Sequence, residues 1–134
     1  MQLKEIKKIL TCKDYTKASM VDIEIDRCYA TDMMSDVLKS CKIGSLLITG
    51  LVNPQVIQVS EIMDLKGIIF VSGKEPGDEI IKKAEEKNLP LMMTEKHMFE
   101  ACGLLFSTGL NGKEVQNKTE NGRSIIHPNV SDNG

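Results

Sequence analysis

Two short stretches of this chain place anion-holding residue types directly after apolar runs. Thr49, Gly50 and Asn53 follow Leu46-Leu47-Ile48, and Ser72, Gly73 and Lys74 follow Ile68-Ile69-Phe70-Val71. Free backbone N–H groups at a helix start attract phosphate or carboxylate. Glycine also serves such a turn through backbone geometry alone. Asp32, Ser35 and Asp36 add a polar rim, although helix capping accounts for at least one of them. Weak recognition of a small phosphorylated ligand is the chemistry these spacings suggest.

Other chemistry finds little to stand on. The four cysteines sit at positions 12, 28, 41 and 102, and no two have the two-residue spacing of iron–sulfur motifs. Cys41 and Cys102 fall on apolar helical faces and read as core thiols, whereas Cys12 and Cys28 read as surface thiols. Neither His97 nor His127 has a partner at a zinc-binding spacing. There is no Ser, His and Asp arrangement for nucleophilic catalysis, no Walker loop and no Gly-x-Gly-x-x-Gly. The expectation is no catalytic residue, no bound metal and no cofactor.

The elements that must position these residues follow from periodicity. Leu3, Ile6 and Leu10 repeat at helical spacing over residues 2–10, and 11–20 read as loop. Val21, Ile23 and Ile25 alternate with acidic residues as a half-buried strand does. Met34, Leu38 and Cys41 share one helical face, with Thr31, Asp32 or Ser35 to cap its start and Gly44 to end it. Asn53-Pro54 starts a helix whose Val56, Val59 and Met63 line up, despite its β-branched composition.

Gly67 admits the second apolar run. The helix over 76–87 opens on Pro76, carries Asp78–Lys82 and Glu79–Lys83 pairs and buries Ile80, Ile81 and Ala84. A strand over 89–94 and a helix over 95–107 close the pattern. In that helix Met98, Cys102 and Leu105 form a row, with Phe99 and Phe106 beside it, and close packing is the expected reason for Gly103. Unbroken apolar runs separated by helices imply right-handed crossovers and a mostly parallel sheet, an α/β fold.

With 134 residues the chain suits one domain, set over 1–110. Residues 111–134 are rich in Asn, Gly and Ser and read as a polar, disordered tail. The net charge of -2 and the 4% aromatic content argue against nucleic acid as a partner. No apolar run reaches the ~20 residues of a membrane span, and Met1-Gln2-Leu3-Lys4-Glu5 lacks a signal peptide's apolar core, so the expected location is cytoplasmic.

Three stretches together resemble a known family: Tyr29-Ala30-Thr31-Asp32-Met33-Met34-Ser35-Asp36-Val37, then Ile48-Thr49-Gly50 through Gly67 to Pro76, then Leu89-Pro90-Leu91 with Phe99-Glu100. Over roughly 1–110 the chain is similar to a stand-alone DRTGG domain. The resemblance implies a three-layer α/β/α domain like the N-terminal domain of HPr kinase/phosphorylase, and a regulatory or assembly role. Gly50-Leu51-Val52 stands where many members have Gly-Asp-Arg, so an anion-binding role for that Arg does not carry over. The resulting expectation is a non-enzymatic regulatory or interaction domain, a homodimer, that senses a nucleotide or another phosphorylated metabolite. The alternative is an accessory of an anaerobic hydrogenase or iron–sulfur system, with a redox-enzyme partner.

Overall fold

The computed structural model describes residues 1–18 and 22–110. Along the chain these form α1 (Leu3–Leu10), β1 (Lys13–Asp14), β2 (Cys28–Ala30), α2 (Met34–Ser40), β3 (Leu46–Thr49), α3 (Gln55–Ile62), β4 (Gly67–Phe70), α4 (Asp78–Glu86), β5 (Leu91–Met93) and α5 (Met98–Ser107). The strands make one sheet in the order β1-β5-β4-β3-β2. From β2 to β5 every pairing is parallel, and only β1 pairs antiparallel, against β5.

Each step from β2 to β5 moves one place in the same direction. Right-handed crossovers then put all three connecting helices on the same face. That face carries Val37 of α2, Val56 and Val59 of α3 and Ala84 of α4, packed on Leu47, Ile68, Phe70 and Leu91. The opposite face needs a cover from the chain ends. There α1 and α5 bring Leu3, Ile6, Leu10, Ala101 and Leu105 onto Leu46, Ile48, Ile69 and Met92. The expected three-layer α/β/α fold is the one observed. Neighbouring strand residues point to opposite, equally buried faces, which is why these runs show no polar alternation.

Several elements depart from the expectations. Lys13–Asp14, expected as loop, pairs with Met93 and Met92 because the outer edge of β5 would otherwise lack a partner. The first parallel strand is Cys28–Ala30, not the alternating segment before it. Ile25 is buried beneath α1, but Glu24 makes only an isolated bridge to Gln2, and Val21 lies outside the described residues. In α2 the buried row is Met34 and Val37, with Cys41 just past the helix, and Leu38 is 45% exposed.

Pro76 precedes α4 rather than opening it, and Gly77 holds the cap position. Phe99 and Phe106, placed beside the buried row of α5, are 91% and 69% exposed. Gly103 has open space where a Cβ would stand, so close packing is not its reason. The expected tail, 111–134, lies outside the described residues.

Candidate functional site

Four parallel strands bring their carboxyl ends to one rim of the sheet. Neighbouring strands run about 4.8 Å apart, so segments distant in sequence become adjacent there. β2 delivers Asp32, β3 delivers Thr49 and Gly50, β4 delivers Ser72 and Gly73, and β5 delivers Thr94 through His97.

Two buried threonines anchor the rim. The Thr49 hydroxyl accepts the Leu51 N–H at 3.1 Å and faces Asp32 Oδ1 at 3.3 Å. The Thr94 hydroxyl donates to the Leu10 carbonyl at 2.7 Å and accepts the Lys96 N–H at 3.2 Å. Each hydroxyl turns the chain away from its strand and ties the loop to its surroundings.

The backbone N–H groups expected to stand free are bonded within the protein. Gly50 donates to Asp32 Oδ1 at 2.6 Å. Ser72 and Gly73 donate to the Lys96 and Thr94 carbonyls at 2.8 and 2.9 Å. Asn53 caps as expected, its Oδ1 accepting the Gln55 N–H at 2.8 Å. Asp32 therefore does not cap α2; it holds the β3 turn from the neighbouring strand end. The Met33 N–H goes instead to the Thr31 hydroxyl at 3.1 Å.

A carboxylate packs on each of the two glycines. A Cβ on Gly50 would stand 3.3 Å from Asp32 Oδ1, and one on Gly73 would stand 2.6 Å from Glu95 Oε1. Ser72 and Gly73 both have positive φ, 62° and 68°, and the Lys74 N–H closes the turn on the Val71 carbonyl at 3.3 Å. Left-handed backbone at a serine costs on the order of 1 kcal/mol. The two bonds to the β5 loop offset it.

That turn also makes a pair invisible in one dimension. Ser72 Oγ lies 3.0 Å from His97 Nδ1, although 25 residues separate them. The tandem backbone bonds that fix Ser72 against Lys96 set this distance, and His97 is exposed. Lys96 approaches Glu100 at 4.0 Å, and Lys74 is exposed with no ion pair among the described residues. Ser72, Lys74, Lys96 and His97 thus supply donors at the β4 and β5 ends of the rim, where Glu95 stands among them, and Asp32 supplies an acceptor at the β2 and β3 ends.

The remaining residues named from sequence lie to the side. Ser35 is exposed on the first turn of α2. Burial pushes the Tyr29 phenol up, a hydrogen bond with Ser40 opposes it, and a hydrogen bond with Asp36 and then the Asp36 charge add to the rise. Cys12 and Cys28, expected at the surface, are half-buried, and burial pushes both thiols up to about 12. Burial raises Cys41 and Cys102 as well. Among the described residues no group of three or more His, Cys, Asp or Glu is placed to hold a metal ion.

The model of the DRTGG domain matches residues 5–107. The chain belongs to the DRTGG domain family. A solved structure shares the fold of this DRTGG domain: the CBS and DRTGG domains of the regulatory region of Clostridium perfringens pyrophosphatase, complexed with the activator diadenosine tetraphosphate. The two align with a TM-score of 0.64 at 18% identity, covering 78% of this chain and 45% of that one. This chain therefore spans less than half the length of that neighbour. A comparison with curated proteins finds no match.

Leu51 and Val52, which follow the Gly50 turn, are half-buried and pack against the core beneath α2–α4. No helix among the described residues is long and apolar enough to cross a membrane.

Proposed function

We propose that this DRTGG domain is a regulatory module without catalysis of its own, and that it senses a nucleotide at the strand-end rim. The observation that carries the reading is the split of the rim into a donor side at the β4 and β5 ends, Ser72 with His97, Lys74 and Lys96, and an acceptor side at the β2 and β3 ends, Asp32. A bare phosphate uses only donors. A nucleotide presents phosphate oxygens to the first group and ribose hydroxyls to the second. Thr49, Gly50 and Asn53 then serve by holding Asp32 and the start of α3 in place. Gly73 serves by letting Glu95 approach.

Two things support a regulatory role. The fold neighbour is part of a regulatory region complexed with a dinucleotide activator. The rim pairs Ser72 with His97 but leaves no backbone N–H of the Ser72–Gly73 turn free to stabilise an oxyanion. The alternative, an accessory of an iron–sulfur redox system, draws no support from either comparison.

The test is thermal unfolding and calorimetric titration with AMP, ATP, diadenosine tetraphosphate and inorganic phosphate. Ligand at 100 times its dissociation constant adds about 2.7 kcal/mol of stability. The expected order places the nucleotides above phosphate, and His97→Ala and Lys74→Ala weaken the nucleotides. The absence of a shift with every nucleotide refutes the sensing role.

A further inference from the structure

The two edges of the sheet are built differently. β1 is two charged, exposed residues, Lys13–Asp14, a short edge of the kind that discourages pairing. β2 is Cys28-Tyr29-Ala30, without charge or proline, and exposed apolar side chains stand beside it. Met33 and Leu38 of the α2 segment are 63% and 45% exposed, and Phe106 of α5 is 69% exposed. An apolar cavity of about 280 Å³ runs along the same edge, lined by Cys28, Ala30, Ile48, Cys102, Leu105 and Phe106 among others.

The direction of the free backbone groups follows from the register. Leu46 donates to the Arg27 carbonyl and Thr31 donates to the Ile48 carbonyl. In a parallel ladder with Tyr29 opposite Leu47, both polar groups of Tyr29 then face β3. The N–H and C=O of Cys28 and Ala30 face outward, and none bonds another backbone group among the described residues.

We propose that β2 pairs antiparallel with β2 of a second copy, across a two-fold axis at Tyr29, to make one continuous sheet. This register sets Cys28 opposite Ala30 of the second copy and Ala30 opposite its Cys28. All outward groups of both strands are then satisfied at once, and the two tyrosines form the non-hydrogen-bonded pair. The axis is perpendicular to the sheet, so like faces adjoin. Phe106 meets its counterpart over the cavities, and the α2 segments meet on the other face.

Charge selects the same occupant. Arg27 and Lys42 lie at the amino end of β2, and Asp32 and Asp36 at its carboxyl end. Among the described residues Arg27 makes one long bond, to the Ile43 carbonyl at 3.5 Å, and its buried Nε has no partner. The two-fold exchanges the ends, so the basic end of one copy meets the acidic end of the other. A strand of the same polarity running parallel would set like charges together.

Light scattering on the full chain tests this. The expected mass is twice the chain's 14.9 kDa at a chain concentration on the order of 100 μM, well above a dissociation constant of about 1 μM. Ala30→Pro removes an outward donor and leaves the β3 ladder intact, and Phe106→Lys adds charge at an exposed site; each is expected to weaken the dimer tenfold or more. Arg27→Glu weakens it similarly, and adding Asp36→Lys to that variant restores it. Circular dichroism verifies that each variant is folded. A monomeric full chain overturns the proposal, as does a dimer that folded Ala30→Pro and Phe106→Lys leave unchanged. Because the strand-end rim is not altered in the Phe106→Lys variant, its nucleotide response is read separately.

Discussion

Asp32→Ala removes the side chain that, among the described residues, ties the β2 end to the β3 turn. Its Oδ1 accepts the Gly50 N–H at 2.6 Å and faces the Thr49 hydroxyl at 3.3 Å. A hydrogen bond to a charged group contributes about 1.5–3 kcal/mol. The carboxylate is exposed, and solvent screening halves that, so the expected loss is about 1 kcal/mol. The Thr49 contact is long, and that hydroxyl keeps its bond from Leu51, so it adds little. With a urea m-value of about 1.5 kcal/mol/M, the unfolding midpoint falls by roughly 0.7 M.

Asp32→Asn keeps an acceptor and loses the charge, so it falls about half as far. Titration supplies the second readout. If Asp32 accepts a ribose hydroxyl, Asp32→Ala weakens AMP by about tenfold, near 1.4 kcal/mol, without weakening inorganic phosphate. A midpoint within 0.2 M of the parent, roughly 0.3 kcal/mol on the same scale, refutes the anchoring argument. Equal losses for AMP and phosphate refute the assignment of Asp32 to the acceptor side.

Three further outcomes follow from single positions. Gly73→Ala combines a φ of 68° with a Cβ 2.6 Å from Glu95 and loses about 2 kcal/mol in urea unfolding, whereas Gly103→Ala, in open space within a helix, gains about 0.8 kcal/mol. Ser72→Val puts a β-branched residue at positive φ and loses more than 1 kcal/mol, while Ser72→Gly leaves stability near the parent value and loses the His97 contact. The half-buried thiols of Cys12 and Cys28 keep their protons up to about 12, above the ordinary value of 9.0, so the native state binds more protons than the unfolded chain between those values. Stability is therefore constant in this respect below pH 9 and declines from about 9 to 12, and a Cys12→Ser, Cys28→Ser double variant flattens that decline in thermal unfolding.

The parallel architecture was legible because burial on both faces leaves a signature in one dimension. Leu46 to Ile48 and Ile68 to Val71 carry no polar alternation, and the caps between them, Asn53 and the acidic turn at Asp78-Glu79, mark helices. The edges were not legible. Lys13–Asp14 is a strand only because β5 needs a partner, and Cys28–Ala30 is too short to show a period. Phe99, Phe106 and Leu38 satisfied a helical row in sequence, but which part of a helix meets the sheet depends on how its axis lies across the strands.

The candidate site divides along the same line. Local chemistry named Gly50, Asn53, Ser72 and Gly73, because turns and caps are contacts between near neighbours, and the cap at Asn53 formed as read. The partners of those groups come from other strands. Asp32 looked like a cap for its own helix and is instead 18 residues from the N–H it accepts. His97 showed no partner at a metal-binding spacing in the sequence and meets Ser72 across 25 residues. The sequence by itself determined the layered fold and the position of its glycine turns, since these depend on patterns within a few residues. Only the tertiary structure decided what those turns hold, because parallel strands bring residues distant in the chain to adjacent ends about 4.8 Å apart.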